Sequence, residues 1–83
     1  MATFDEMYEE RERLEKLIGN YHIGVCPMST IHNDFIQYNV WFNSNGVIST
    51  KEAKELAYKI LEAVEIVENS PLQNATLDKK MQL

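Results

Sequence analysis

The stretch STKEAKELAYKILEAVEIVEN, Ser49 to Asn69, constrains this chain more than any other. At about 100° per residue, Ala53, Leu56, Ala57, Ile60, Val64 and Val67 share one face, with Leu61 at its margin. Glu55, Lys59 and Glu62 fall opposite. The pattern predicts an amphipathic helix. Ser49 and Glu52 have capping-box spacing, so each side chain can satisfy an amide that the first turn leaves unpaired. Ser70-Pro71 supplies the stop, because the residue before a proline is pushed out of helical geometry. Burial of each large apolar side chain contributes about 1.5–3 kcal/mol, which makes this face the main source of core.

The second half of the helix is acidic. Glu62, Glu65 and Glu68 follow Lys59 with no further lysine or arginine before the tail, and carboxylates there oppose the helix dipole. Ile66 projects into this polar face. Two readings stand: a solvated acidic surface with one isoleucine, or a negative patch with an apolar centre that meets a basic partner.

A first helix is predicted from Thr3 to Ile18. Thr3 and Glu6 again have capping-box spacing, and Glu9–Arg13 and Glu12–Lys16 sit at i,i+4. Phe4, Met7, Leu14 and Ile18 form a narrow stripe flanked by Tyr8 and Leu17. Arg11 lies inside it, either as a stem covering the core edge or as the partner of a carboxylate. Gly19 suits the left-handed stop.

Two strands follow. In Tyr21 to Thr30, Tyr21, Ile23 and Val25 alternate with His22, Gly24 and Cys26, and Pro27 places this strand at a sheet edge or bulge. Ile31 to Asp34 is a polar loop that can close a hairpin. In Phe35 to Asn43, Ile36, Tyr38, Val40 and Phe42 are assigned to the core, leaving Phe35, Gln37, Asn39 and Trp41 on the other face. A one-sided sheet carries a plain polar outer face, so two large aromatics there imply a cover or a partner. The cover would be the first helix, the tail or a second subunit. Asn45-Gly46 predicts a tight turn into a short third strand, Val47-Ile48.

These elements give an α+β fold of order α-β-β-(β)-α, a small two-layer domain with an antiparallel hairpin packed against two helices. Residues 1–70 form the domain. Residues 71–83 are a tail, weakly ordered or with a short helix between Ala75 and Gln82.

At 83 residues the chain buries only about 60% of its unfolded surface, so a homodimer is expected to enlarge its core. A net charge of −5 argues against direct binding to nucleic acid or anionic membrane and permits a basic protein partner. Cys26 is the single cysteine, which fits a reducing, cytoplasmic compartment. No apolar run approaches the roughly 20 residues that span a bilayer.

No catalytic or metal pattern of useful specificity is present, so no enzymatic activity, metal or cofactor is expected. His22 and Cys26 stand about 13 Å apart along a strand, too far to share a zinc ion unless the strand bends at Pro27. His32 and Asp34 lack further ligands. A Cys26/His32 pair across the hairpin would lack a visible thiolate-stabilising environment or oxyanion hole. The three glycines form no phosphate loop.

The acidic first helix EMYEERERLEKL, the hairpin around IHND and the NSNG turn feeding STKEAKELAYKILEAVE together give a format. It resembles the small phage- and prophage-encoded inhibitors of host defence enzymes, anti-CRISPR proteins among them. The resemblance is one of size, charge and architecture, with no shared motif. It implies a protein-binding inhibitor in the host cytoplasm that occludes a basic surface of a nucleic-acid-handling enzyme. Glu62, Glu65 and Glu68 would then stand in for phosphates, with Ile66 or Trp41 as the apolar anchor. Two other functions fit the same residues: a self-associating scaffold that buries Phe35 and Trp41, or a nucleotide-sequestering protein using that aromatic face.

Overall fold

The computed structural model describes residues 1–28, 34–44 and 46–78. The order is α1 (Phe4–Ile18), β1 (Ile23–Met28), β2 (Gln37–Phe42) and α2 (Thr50–Glu68). The two strands form an antiparallel sheet with Ile23 opposite Phe42, Val25 opposite Val40 and Met28 opposite Gln37. Both helices lie against one face, giving the α+β two-layer domain.

Local chemistry sets the helix ends. The Thr3 side chain accepts from the Glu6 amide while the Glu6 carboxylate accepts from the Thr3 amide, a reciprocal cap. Gly19 closes α1 at φ 62°, where its amide reaches the Glu15 carbonyl at 3.0 Å. Ser49 caps α2 through the Glu52 amide, but the Glu52 carboxylate accepts from the Ser49 hydroxyl rather than from its amide. Among the described residues Val47 and Ile48 are not in a strand, and Val47 is fully exposed. Gly46 takes a positive φ of 81°, and the described residues between β2 and α2 form no third strand.

The core is built from Met7 and Leu14 of α1, Val25 of β1, Tyr38 of β2 and Val67 of α2, together with Ala2, Ile36 and Leu77. Phe42, assigned to the core from its alternation, is 58% exposed. It stands at the far end of β2, where Ile60 and Val64 leave a groove beside it. The apolar arc of α2 is likewise only partly used. Ala63 and Val67 are buried, Leu56, Ile60 and Val64 are half-buried, and Ala53, Ala57 and Leu61 are exposed. A 19-residue helix is about 28 Å long, whereas a six-residue strand spans about 20 Å, so the helix outruns the strands it covers. The domain is accordingly elongated, 48 × 21 × 17 Å.

Residues 71–78 belong to the packed domain. Pro71 to Asn74 make a turn, Asn74 at a φ of 64°, and residues 75–78 then run between the N-terminus and the start of β2, with no helix at Ala75 to Asp78. The Ala2 amide donates to the Thr76 carbonyl and the Asp78 amide to the Ala2 carbonyl. On the other side Ile36 donates to Ala75, Asn74 to Ile36 and Leu77 to Asp34. This pairing buries Ala2 and Leu77 to within 4% of full burial. The remainder of the tail, 79–83, and the loop at 31–33 lie outside the described residues.

A polar contact locks the two helices. Glu10, on the inner face of α1, is buried, and both its oxygens accept from Arg13, Oε1 from Nε at 2.5 Å and Oε2 from Nη2 at 2.6 Å. The Ser70 hydroxyl at the end of α2 donates to the same carboxylate. Arg13 therefore pairs with Glu10 and not with Glu9. Arg11 is half-buried with Nη1 3.9 Å from Glu15, so it both covers the core edge and faces a carboxylate. The Tyr38 hydroxyl donates to the Met7 carbonyl at 2.7 Å, and burial, with the nearby Glu10 charge, pushes its pKa up to about 12.

The hydrogen bond from Arg13 holds the Glu10 carboxyl below its ordinary 4.5, against the opposing effect of burial and with help from Ser70. A depressed carboxylate contributes stability above its unfolded pKa and loses it as pH falls through the folded value. Glu10→Gln is therefore expected to cost about 1–3 kcal/mol at neutral pH. In urea titrations the gap to wild type should narrow below pH 4.5; a gap independent of pH would contradict this account.

Candidate functional site

The helix-free face of the hairpin carries Cys26, Met28, Phe35, Gln37, Asn39 and Trp41, every one exposed. Strand alternation puts them there, since their neighbours Val25, Ile36, Tyr38 and Val40 point into the helical layer. Neither helix nor residues 71–78 cover this face: Phe35 is 51% and Trp41 44% exposed. Among the described residues it bears no charged side chain. Trp41 lies opposite Gly24, and its indole rests on the β1 backbone. A Cβ at Gly24 would overlap the ring, so the glycine is what lets the tryptophan lie flat.

The acidic end of α2 occupies the other layer. Glu62, Glu65 and Glu68 are exposed, and the last turn holds no basic residue. Glu62 has Lys59 at 3.5 Å; this surface contact is worth little. Ile66 does not stand free among them. It is half-buried and packs against the core, because the buried arc of α2 is centred on Ala63 and Val67 rather than on Ala53 and Ala57. The structure thus separates the sequence-derived residues into two surfaces. Phe35, Gln37, Asn39 and Trp41 are together on one layer; Glu62, Glu65 and Glu68 are together on the opposite one.

Two clefts were not anticipated. One, of about 440 Å³, lies where the hairpin ends meet the first turns of α2, between His22, Asn43 and Ser44 on one side and Glu52, Leu56 and Lys59 on the other. The Tyr21 and His22 rings stack with centroids 4.0 Å apart, and His22 Nδ1 is buried with no hydrogen-bond partner among the described residues. The second, of about 410 Å³, runs between the outer edge of β2 and α2. Neither of these clefts includes Phe35 or Trp41. Phe42 lines the second cleft with Ile60 and Val64, and how far α2 covers β2 depends on helix tilt and length, which periodicity does not encode.

Among the described residues no group of three or more His, Cys, Asp or Glu is arranged to hold a metal. A Cys26/His32 pair falls partly outside the described residues, and Cys26 is exposed on the aromatic face. No described helix is long and apolar enough to cross a membrane. The chain matches no protein-family model, no curated protein and no solved structure.

The Gly24–Trp41 contact can be tested directly. Gly24→Ala should lift the indole from the strand, costing roughly 1–3 kcal/mol and shifting tryptophan emission to the red. Emission and stability both unchanged would mean that the ring is not seated on Gly24.

Proposed function

We propose that this chain is a protein-binding module that inhibits a nucleic-acid-handling enzyme by occluding a basic surface on it. The observation that carries the reading is the open hairpin face. An uncharged patch with two half-exposed aromatics and two amides has the composition of an interface centre, where aromatic anchors supply most of the binding energy. In this reading Trp41 and Phe35 insert into the partner, while Gln37 and Asn39 meet its backbone groups.

Charge supports the choice of partner. A chain of net charge −5 attracts basic surfaces over a Debye length, and the exposed Glu62 and Glu65 concentrate that charge at one end of α2. Because they sit on the opposite layer from Trp41, they steer the encounter and repel nucleic acid rather than form the contact itself. A bound chain then blocks the groove by its bulk and its field.

Capture from extracts of the native host, followed by binding and cleavage assays with the purified partner, tests this. The expected partner is a basic nucleic-acid enzyme, inhibited at one equivalent of chain. Phe35→Ala/Trp41→Ala should weaken binding by roughly thirtyfold or more. Glu62→Lys/Glu65→Lys should slow association and flatten its salt dependence. Binding untouched by the first variant removes the hairpin face from the interface, and a salt-independent association removes the basic partner.

A further inference from the structure

The outer edge of β2 is unfinished. The Val25 amide turns away from β2 to the Glu15 carboxylate at 3.2 Å, and the Tyr38 amide turns away from β1 to Gln73 Oε1 at 2.8 Å. In an antiparallel pair the outward-pointing groups recur at every second residue. On β2 they therefore belong to Tyr38, Val40 and Phe42. Gln73 satisfies Tyr38 from both sides, its Nε2 also donating to the Tyr38 carbonyl at 3.5 Å. The outward groups of Val40 and Phe42 have no protein partner among the described residues. Beside them runs the groove formed with Ile60, Val64 and Val67.

The occupant is indicated by α2. Its outer stripe, at helical spacing of three and four, reads Lys54, Tyr58, Leu61, Glu65, Glu68. The stripe is basic at its start, apolar in its middle and acidic at its end, and all five residues are exposed. Such a stripe is complementary to itself when reversed. Lys54 and Glu68 are equidistant from Leu61 along the helix, as are Tyr58 and Val64. An antiparallel copy centred on Leu61 thus sets Lys54 against the second copy's Glu68 at both ends, and Leu61 against itself.

The strand edge and the helix stripe share one axis. The start of β2 is bonded to Gln73, just past the end of α2, while Asn43 and Ser44, just past the end of β2, line a cleft with Glu52 and Leu56. So β2 runs antiparallel to α2, and Trp41, midway along the open edge, lies level with the middle of the helix. A two-fold axis there pairs Val40 with the second copy's Phe42 and Phe42 with its Val40, each pair exchanging two backbone hydrogen bonds.

We infer that this chain forms a symmetric dimer with a second copy of itself, joining β2 to β2 in a four-stranded sheet and packing α2 antiparallel to α2. The interface is isologous, so one patch supplies both halves. It closes the open edge, covers Phe42, Leu61, Ile60 and Val64, and joins the two aromatic faces with the Trp41 rings adjacent. A foreign extended peptide could add to the same edge, but it would leave the charge-reversed stripe of α2 without a purpose. The inference rests on the edge and the stripe, and stands or falls independently of the proposed inhibitory activity.

Light-scattering chromatography and sedimentation of the full chain over a concentration series test it, with Lys54→Glu, Glu68→Lys and the double variant. These residues are exposed, and far-UV circular dichroism should show the fold unchanged. Wild type should be a dimer. Each single variant should raise the dimer dissociation constant by roughly tenfold or more, since like charges then face each other twice. The double variant should return to within about threefold of wild type, because the pair is restored with its signs exchanged. A wild type that stays monomeric at every concentration overturns the proposal. A dimer whose affinity ignores both single variants, or whose double variant is as weak as the two losses combined, overturns this interface.

Discussion

A sheet of two strands has two edges and two faces, and among the described residues two helices and a short segment after them are what covers these. Backbone groups along a strand edge need partners whether or not another strand is present. On β1 the Glu15 carboxylate takes the Val25 amide, and Pro27 has no amide to satisfy. On β2 the Gln73 side chain takes the Tyr38 amide and carbonyl. Among the described residues nothing pairs with the remaining edge of β2 or covers Phe35 and Trp41, and the surfaces that can meet another molecule are those left unfinished.

The same scarcity explains how the core is closed. The buried apolar side chains come from every part of the chain, and two non-local devices hold them together. Residues 74–78 lie between Ala2 and Asp34 to Ile36, so both chain ends are tied to the entry of β2. Glu10 joins α1 to the end of α2 through Ser70, with Arg13 neutralising its charge at the surface. A buried carboxylate without such partners would be costly; with two donors it fixes the relative position of the helices.

What was legible in the sequence is what is local. Thr3 with Glu6, Gly19, and Ser49 with Glu52 place the helix ends because each cap acts within a turn. The alternation through Phe35 to Phe42 shows which residues share a face, and Pro27 marks an edge. The aromatics among amides at Phe35, Gln37, Asn39 and Trp41 were visibly unusual for a solvent face. Long-range geometry was not legible. An apolar arc on α2 does not state how much of itself will be covered, so periodicity assigns Ala53, Ala57 and Phe42 to the core and Ile66 to the surface, whereas the first three are exposed and Ile66 packs on the core. Leu77 is buried by pairing with a residue 75 positions away. Glu10 sits one turn from both Met7 and Leu14 on the inner face, a signal that its charge obscured.

The outer edge of β2 is open at Val40 and Phe42 among the described residues, and the proposed dimer would add its second strand there. Amide hydrogen exchange along β2, followed by NMR across a dilution series, reads it residue by residue. Asn39 and Trp41 point toward β1, and Val40 and Phe42 point outward. At high concentration all four should be protected, and on dilution Val40 and Phe42 should lose protection while Asn39 and Trp41 keep it. Rapid exchange of Val40 and Phe42 at every concentration, or simultaneous loss at all four, would contradict it.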